Sequence, residues 1–216
     1  MAGAAVPRGL IFDLDGTLVD SFADIASALN WTRAQFRLPL LPQAEITRHV
    51  GSGSEYLVRQ LVPVASERFE EALGFFLAWY EENALKQTRL LQGVPEVLAH
   101  FRDRSLAVVT NKTFDLSEKV LRGLGVWDRF TIVVGGDSLE RRKPDPLPVR
   151  HVLDTFALSP GEVVLVGDSP HDIHAGQAAG VRTVAVTTGV EARAALQALR
   201  PDHVIDRMDE LLRHYV

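Results

Sequence analysis

The chain contains no cysteine. That excludes disulfides, thiolate nucleophiles and Cys-based zinc sites together, and it fits a reducing compartment. No stretch approaches the ~18 uninterrupted apolar residues of a membrane span. The opening MAGAAVPRG lacks the longer apolar run of a secretory signal, so a cytoplasmic protein without a membrane partner is expected. A basic excess is missing as well. Lys and Arg number 23 against 28 Asp and Glu, a net charge of −5, which argues against a general nucleic-acid binder. Internal repeats and low-complexity tracts are absent. What remains is 216 residues, 46% hydrophobic and 24% charged. This ordinary globular composition is long enough for one large domain or a domain with an insertion.

The apolar residues fall in short runs at 9–13, 105–110, 130–135, 163–168, 182–187 and, more weakly, 203–206. Such runs suit strands buried on both faces of a parallel sheet. Helix-like segments near 115–124, 146–156, 171–179 and 191–199 alternate with the later runs, which predicts right-handed βαβ units with helices on both faces. Residues from about 20 to 88 break the alternation and hold no convincing strand. There, 20–36 reads as an amphipathic helix opened by Ser21 with Asp24 three residues on. Pro39 and Pro42 interrupt it. Helical patterns resume near 43–49, 54–62 and 66–87, with Ser66 as the N-cap of the last. The expected fold class is α/β, a Rossmann-like doubly wound parallel sheet (residues 1–19 and 89–216) with an α-helical insert (20–88) as a lid. Its hinges should lie near 19–21 and 88–93.

The densest chemistry lies in FDLDGTLVDS, residues 12–21. Asp13 and Asp15 stand two apart at the end of an apolar run, so in a strand they point to the same side. Two such charges need a positive partner. Gly16 allows a sharp turn that exposes backbone N–H groups, which suits a metal ion and a phosphate. Three further strand ends carry Thr110-Asn111-Lys112, the stretch Arg141 to Pro146 around Lys143, and Asp168-Ser169-Pro170-His171-Asp172. Ligands in open α/β sheets bind outside the carboxyl ends of the strands, where these clusters converge. Four carboxylates, a hydroxyl and a lysine suit an octahedral oxygen site for Mg²⁺ and the needs of phosphoryl transfer.

The four motifs DLDGTLVDS, VVTNK, RRKPDP and GDSPHDI, in this order, resemble those of aspartate-nucleophile phosphatases in the haloacid dehalogenase superfamily. The insert after the first resembles that superfamily's helical cap. The resemblance implies that Asp13 is a nucleophile forming an aspartyl-phosphate. It implies that Asp15 is the general acid and then base, with its backbone carbonyl on the metal. Thr110 and the Asn111 backbone N–H would hold phosphate. Lys143 would steady both phosphate and nucleophile, and Asp168 and Asp172 would bind Mg²⁺ with Asp13 and Asp15. Ser169 and Asp172 also form a capping-box pattern with Pro170 at the first helical position. His171 and His174 read as exposed helix-face residues.

Two stretches, VGSGSEYL (50–57) and GGDSLERRKPDPLP (135–148), resemble phosphoglycolate phosphatases. Departures stand at Asp145, where a histidine is frequent, and at Gln92, in place of a common proline. The implied activity is Mg²⁺-dependent hydrolysis of a small phosphorylated metabolite, with 2-phosphoglycolate the leading substrate, by a monomer or dimer. The loop holding Gly51 and Ser52 is expected to close over the substrate, with Arg48 or Arg59 available to meet a carboxylate. Pyrophosphate or sugar-phosphate phosphatases and a β-phosphoglucomutase would share the core residues. A non-catalytic phosphate-binding protein is the alternative of another class.

Overall fold

The computed structural model describes residues 6–215, so part of the amino-terminal stretch read for a leader, residues 1–5, lies outside them. The chain opens with β1 (Gly9–Phe12), fully buried, and a two-residue strand β2 (Val19–Asp20). Four helices follow: α1 (Phe22–Gln35), α2 (Gln43–Thr47), α3 (Ser54–Leu61) and α4 (Phe69–Asn83). The chain returns through β3 (Arg89–Leu90) and α5 (Val94–His100). Then β4 (Ser105–Val109), α6 (Phe114–Gly123), β5 (Ile132–Val134), α7 (Leu147–Phe156), β6 (Val163–Gly167), α8 (Pro170–Ala179), β7 (Arg182–Val186), α9 (Arg193–Ala198), β8 (His203–Ile205) and α10 (Leu211–His214) alternate to the end.

Six strands form one parallel sheet in the order β5-β4-β1-β6-β7-β8. β1 is central, and the chain runs outward from it in both directions. Each central strand is almost wholly apolar and buried, so it can be covered on both faces. Leu10, Phe12, Leu106, Val108, Val164 and Val166 pack into one core, while Ile11, Ala107, Val109, Val163 and Leu165 pack into another. Burying each such side chain contributes roughly 1.5–3 kcal/mol.

The strands end one residue before the apolar runs do. Asp13, Thr110 and Asp168 each follow the last paired residue of their strand. Among the described residues no helix is long and apolar enough to cross a membrane.

The helical stretch packs mainly through α1 and α4, with Ile25, Leu29, Leu57, Phe76 and Tyr80 buried in the shared core. Its two connections to the sheet form an antiparallel ribbon, β2 with β3, at the two edges of the 20–88 stretch, where no strand was read. Two residues are too few to show a period of two.

The capping box expected at Ser21 and Asp24 is not formed. Ser21 makes no side-chain cap; its hydroxyl donates to Asp15 Oδ1 at 2.5 Å. Asp24, buried, accepts from the N–H groups of Gln87 and Thr88 at 2.9 Å each and from Thr88 Oγ1 at 2.8 Å. It thus ties α1 to the returning strand. Ser66 opens a short 3-10 turn with no side-chain cap, and α4 begins only at Phe69.

Candidate active site

The sheet order splits at β1, and the residues that leave β1, β4 and β6 meet at this switch point. Asp13 follows β1, with its N–H bonded to Val166 O at 2.9 Å. Its carboxylate lies 2.9 Å from Lys143 Nζ. Asp168 follows β6 and accepts from Thr17 Oγ1 at 2.8 Å. Asp172, in the first turn of α8, is fully buried. Its Oδ1 takes Lys143 Nζ at 2.5 Å, while its Oδ2 accepts from the Ser169 N–H at 3.1 Å and the Ser169 hydroxyl at 2.6 Å. The capping box read at Ser169 is therefore formed, and Asp172 also pairs with the lysine.

Lys143 lies in the turn ahead of α7 rather than at the helix start, because α7 begins at Leu147. Its ammonium also donates to Val109 O at 2.6 Å.

Carboxylate oxygens of Asp13, Asp168 and Asp172 come within 4.8 Å of one another. Burial pushes the Asp13 carboxyl up to about 6; Lys143 opposes the rise and the Asp172 charge adds to it. Burial, then the charges of Asp13 and Asp172, push Asp168 up well above the usual carboxylate range. Lys143 is held above its ordinary value because Asp13 and Asp172 outweigh the burial that pulls it down. One lysine does not neutralise three buried acids. Asp13 Oδ1 is also a buried oxygen without a hydrogen bond, since its approach to Lys143 is an ion pair of poor hydrogen-bond angle. An all-oxygen donor set with an unsatisfied carboxylate oxygen fits a hard divalent cation.

Glycines crowd the acids. A Cβ on Gly189 would sit 1.8 Å from Asp168 Oδ2, and one on Gly16 2.5 Å from the same atom. Gly16 has φ +83° and donates its own N–H to Val19 O at 2.8 Å. That N–H is thus occupied in shaping the turn rather than free for a phosphate.

A cleft beside Asp13 is lined by Asp15, Thr110, Asn111 and Lys112 from the sheet side, and by Ile25, Val50, Gly51, Leu57, Phe76 and Tyr80 from the helical side. Thr110 Oγ1 accepts from the Lys112 N–H at 3.2 Å. The Asn111 side chain donates to Gly51 O at 2.9 Å and to Lys143 O at 3.0 Å. Ser52 Oγ lies 3.3 Å from His171 Nε2. The loop carrying Gly51 and Ser52 is thereby seated on the strand-end residues. His171 is half-buried, and burial lowers its pKa; it is not the exposed helix-face residue expected, whereas His174 is exposed. Arg48 lines a second cleft with Asp168 and His171. Arg59 stacks its guanidinium on Phe69, 3.9 Å from the ring centroid, and lines neither cleft.

The sequence profile described as haloacid dehalogenase-like hydrolase matches residues 10–186. The chain belongs to that family. Among its relatives, a phosphoglycolate phosphatase of Pectobacterium atrosepticum is 34% identical, over 98% of this chain and 94% of the relative. Another, from Chromobacterium violaceum, is 38% identical over 84% and 86% of the two chains. A solved structure described as a predicted phosphoglycolate phosphatase from Haemophilus somnus superposes with a TM-score of 0.89. It is 30% identical and covers 95% of this chain and 96% of its own. The protein is thus a hydrolase of the haloacid dehalogenase-like family with phosphatase relatives, acting on a small phosphorylated substrate.

Four residues that the geometry places at the site were assigned no role from the sequence. Lys112 pairs with Asp15 at 2.9 Å and donates to Tyr80 Oη at 2.8 Å. Thr17 orients Asp168, and Gly189 leaves room for it. Lys112 stood inside the VVTNK motif, yet a lysine after Thr-Asn carries no sign of being buried.

Proposed function

We propose that the protein hydrolyses 2-phosphoglycolate to glycolate and phosphate. Asp13 is the nucleophile and residues 20–88 form a cap over a catalytic core of 1–19 and 89–216. The observation that carries the chemistry is the convergence of Asp13, Lys143, Asp168 and Asp172 within one buried cluster at the switch point of the sheet. The substrate rests on relatives that bear the phosphoglycolate phosphatase name.

An Asp13 carboxylate oxygen attacks phosphorus as the bond to the ester oxygen breaks, and Asp15 delivers a proton to that departing oxygen. Asp15 then takes a proton from water as the water oxygen attacks the phosphorus of the aspartyl-phosphate. Phosphate leaves and the Asp13 carboxylate is restored. Lys143 faces Asp13 and offsets negative charge during both steps. Thr110 and the Asn111 backbone N–H hold the phosphate.

Asp13, Asp168 and the Asp15 carbonyl would hold Mg²⁺, which when bound supplies positive charge to the phosphate oxygens. Both Asp172 oxygens are already engaged by Lys143 and Ser169. Asp172 would therefore add its charge from the outer side of the cluster while holding Lys143 in place. Gly51 and Ser52 present the cap loop to the glycolate end.

The test is kcat/KM with Mg²⁺ across phosphoglycolate, pyrophosphate, hexose phosphates and nucleoside monophosphates, with Asp13→Asn as the blank. A clear preference for phosphoglycolate is expected. A preference for another ester would overturn the substrate, and turnover by Asp13→Asn would overturn the mechanism.

A further inference from the structure

Asp15 has a cation of its own. Lys143 is engaged by Asp13, Asp172 and Val109 O. Lys112 Nζ instead lies 2.9 Å from Asp15 Oδ2, and its side chain is only 4% exposed. A buried ammonium of this kind must be paired, and here it has a second partner. It donates to Tyr80 Oη at 2.8 Å and sits 4.6 Å from the Tyr80 ring centroid.

Tyr80 belongs to α4 and is 1% exposed, packed on Phe76 at 5.7 Å between ring centroids. The other Asp15 oxygen accepts from Ser21, the residue that opens α1. Each oxygen of Asp15 is therefore held from the helical side, one directly through Ser21 and one through Lys112 by Tyr80. Among the described residues no comparable tie reaches Asp13, whose partner Lys143 is held by Asp172 and Val109 O.

The geometry points to Lys112 and Tyr80 as positioning residues for Asp15, which tie the orientation of the proton-transferring carboxylate to the seating of α4 over the sheet. The inference rests on the acid–base reading of Asp15 given above. It adds a physical reason for a buried lysine in the cleft. Without the Tyr80 hydroxyl the ammonium loses one of its two anchors, and the carboxylate it holds loses a fixed direction. Proton transfer suffers, while attack by Asp13 is less affected.

A leaving-group comparison separates these effects, because kcat/KM reports only the transfer of the phosphoryl group to Asp13. An alkoxide leaves poorly without a proton, whereas 4-nitrophenolate leaves readily. The measurement is kcat/KM with Mg²⁺ for 2-phosphoglycolate, for 2-hydroxyethyl phosphate, which has no carboxylate, and for 4-nitrophenyl phosphate. It is made on wild type, Tyr80→Phe, Lys112→Met and Asp15→Asn. Relative to the nitrophenyl ester, both alkyl esters should fall together, by about tenfold in Tyr80→Phe and about a hundredfold in Lys112→Met.

Tyr80→Phe removes one oxygen and keeps the packed ring, so it carries the test if Lys112→Met does not fold. Equal losses on alkyl and aryl esters would show a structural role only and overturn the inference. A loss confined to phosphoglycolate, seen in KM, would overturn it in favour of Lys112 binding the substrate carboxylate. If Asp15→Asn loses the alkyl rate selectively and the other two variants do not, the inference alone fails. If Asp15→Asn shows no selective loss, the acid–base reading fails and takes the inference with it.

Discussion

Replacing Asp13 by asparagine should end turnover and yet make the metal-free protein more stable at neutral pH. Asp13 ionises at about 6 in the folded chain against 3.8 for the ordinary side chain, mainly because it is buried. Between those two values the folded state holds a proton that the unfolded state has released, so wild-type stability falls as pH rises through that window and levels off above it. A displacement of about two pH units is on the order of 3 kcal/mol, roughly 10 °C in Tm for a chain of this length. Asparagine keeps the shape and removes the charge. Lys143 is not stranded by the change, since Asp172 and Val109 O still hold it.

Urea unfolding in EDTA at pH 4, 6 and 8 is the assay. Asp13→Asn should match wild type near pH 4 and exceed it by up to about 3 kcal/mol at pH 8. Saturating Mg²⁺ should shrink the difference, because an ion at about a hundred times its Kd returns about 2.7 kcal/mol to the protein that binds it. A variant less stable than wild type at pH 8, or a difference independent of pH, would refute the assignment of Asp13 as a buried carboxylate strained by its surroundings.

Gly189→Ala places a Cβ 1.8 Å from Asp168 Oδ2, so Asp168 must turn away. Mg²⁺ affinity by calorimetry should fall at least about tenfold, and unchanged affinity would remove Asp168 from the ion's ligands. Asp24→Ala strips the acceptor from the Gln87 and Thr88 N–H groups. It should cost about 3 kcal/mol in urea unfolding, whereas a loss below about 0.5 kcal/mol would show that water replaces the carboxylate.

The sheet was legible because its strands are mostly apolar and alternate with helices. Their ends were read one residue too long because Asp13, Thr110 and Asp168 directly follow the runs in sequence, while their side chains line the site. Two Ser-x-x-Asp patterns looked alike. At Ser169 the capping box forms. At Ser21 it does not, because Asp15 and the returning strand compete for the same side chains, and such tertiary competition leaves no mark at a spacing of three. The core of the site was legible because its residues sit in compact motifs at strand ends. The Lys112–Tyr80 contact joins residues 32 positions apart, one of them on a helix whose pattern reads only as apolar packing. Arg59 carried a charge suited to a carboxylate, but its guanidinium sits over the Phe69 ring, an alternative that sequence spacing does not reveal.

The central claim is covalent transfer of the phosphoryl group to Asp13. Mixing enzyme, Mg²⁺ and phosphoglycolate, quenching in acid within the first turnover and mapping the protein by mass spectrometry tests it directly. The account predicts a phosphoryl increment on the peptide containing Asp13, absent from Asp13→Asn, that decays at the rate phosphate is released. Full turnover with no phosphorylated peptide, or with the increment on another residue, would contradict it.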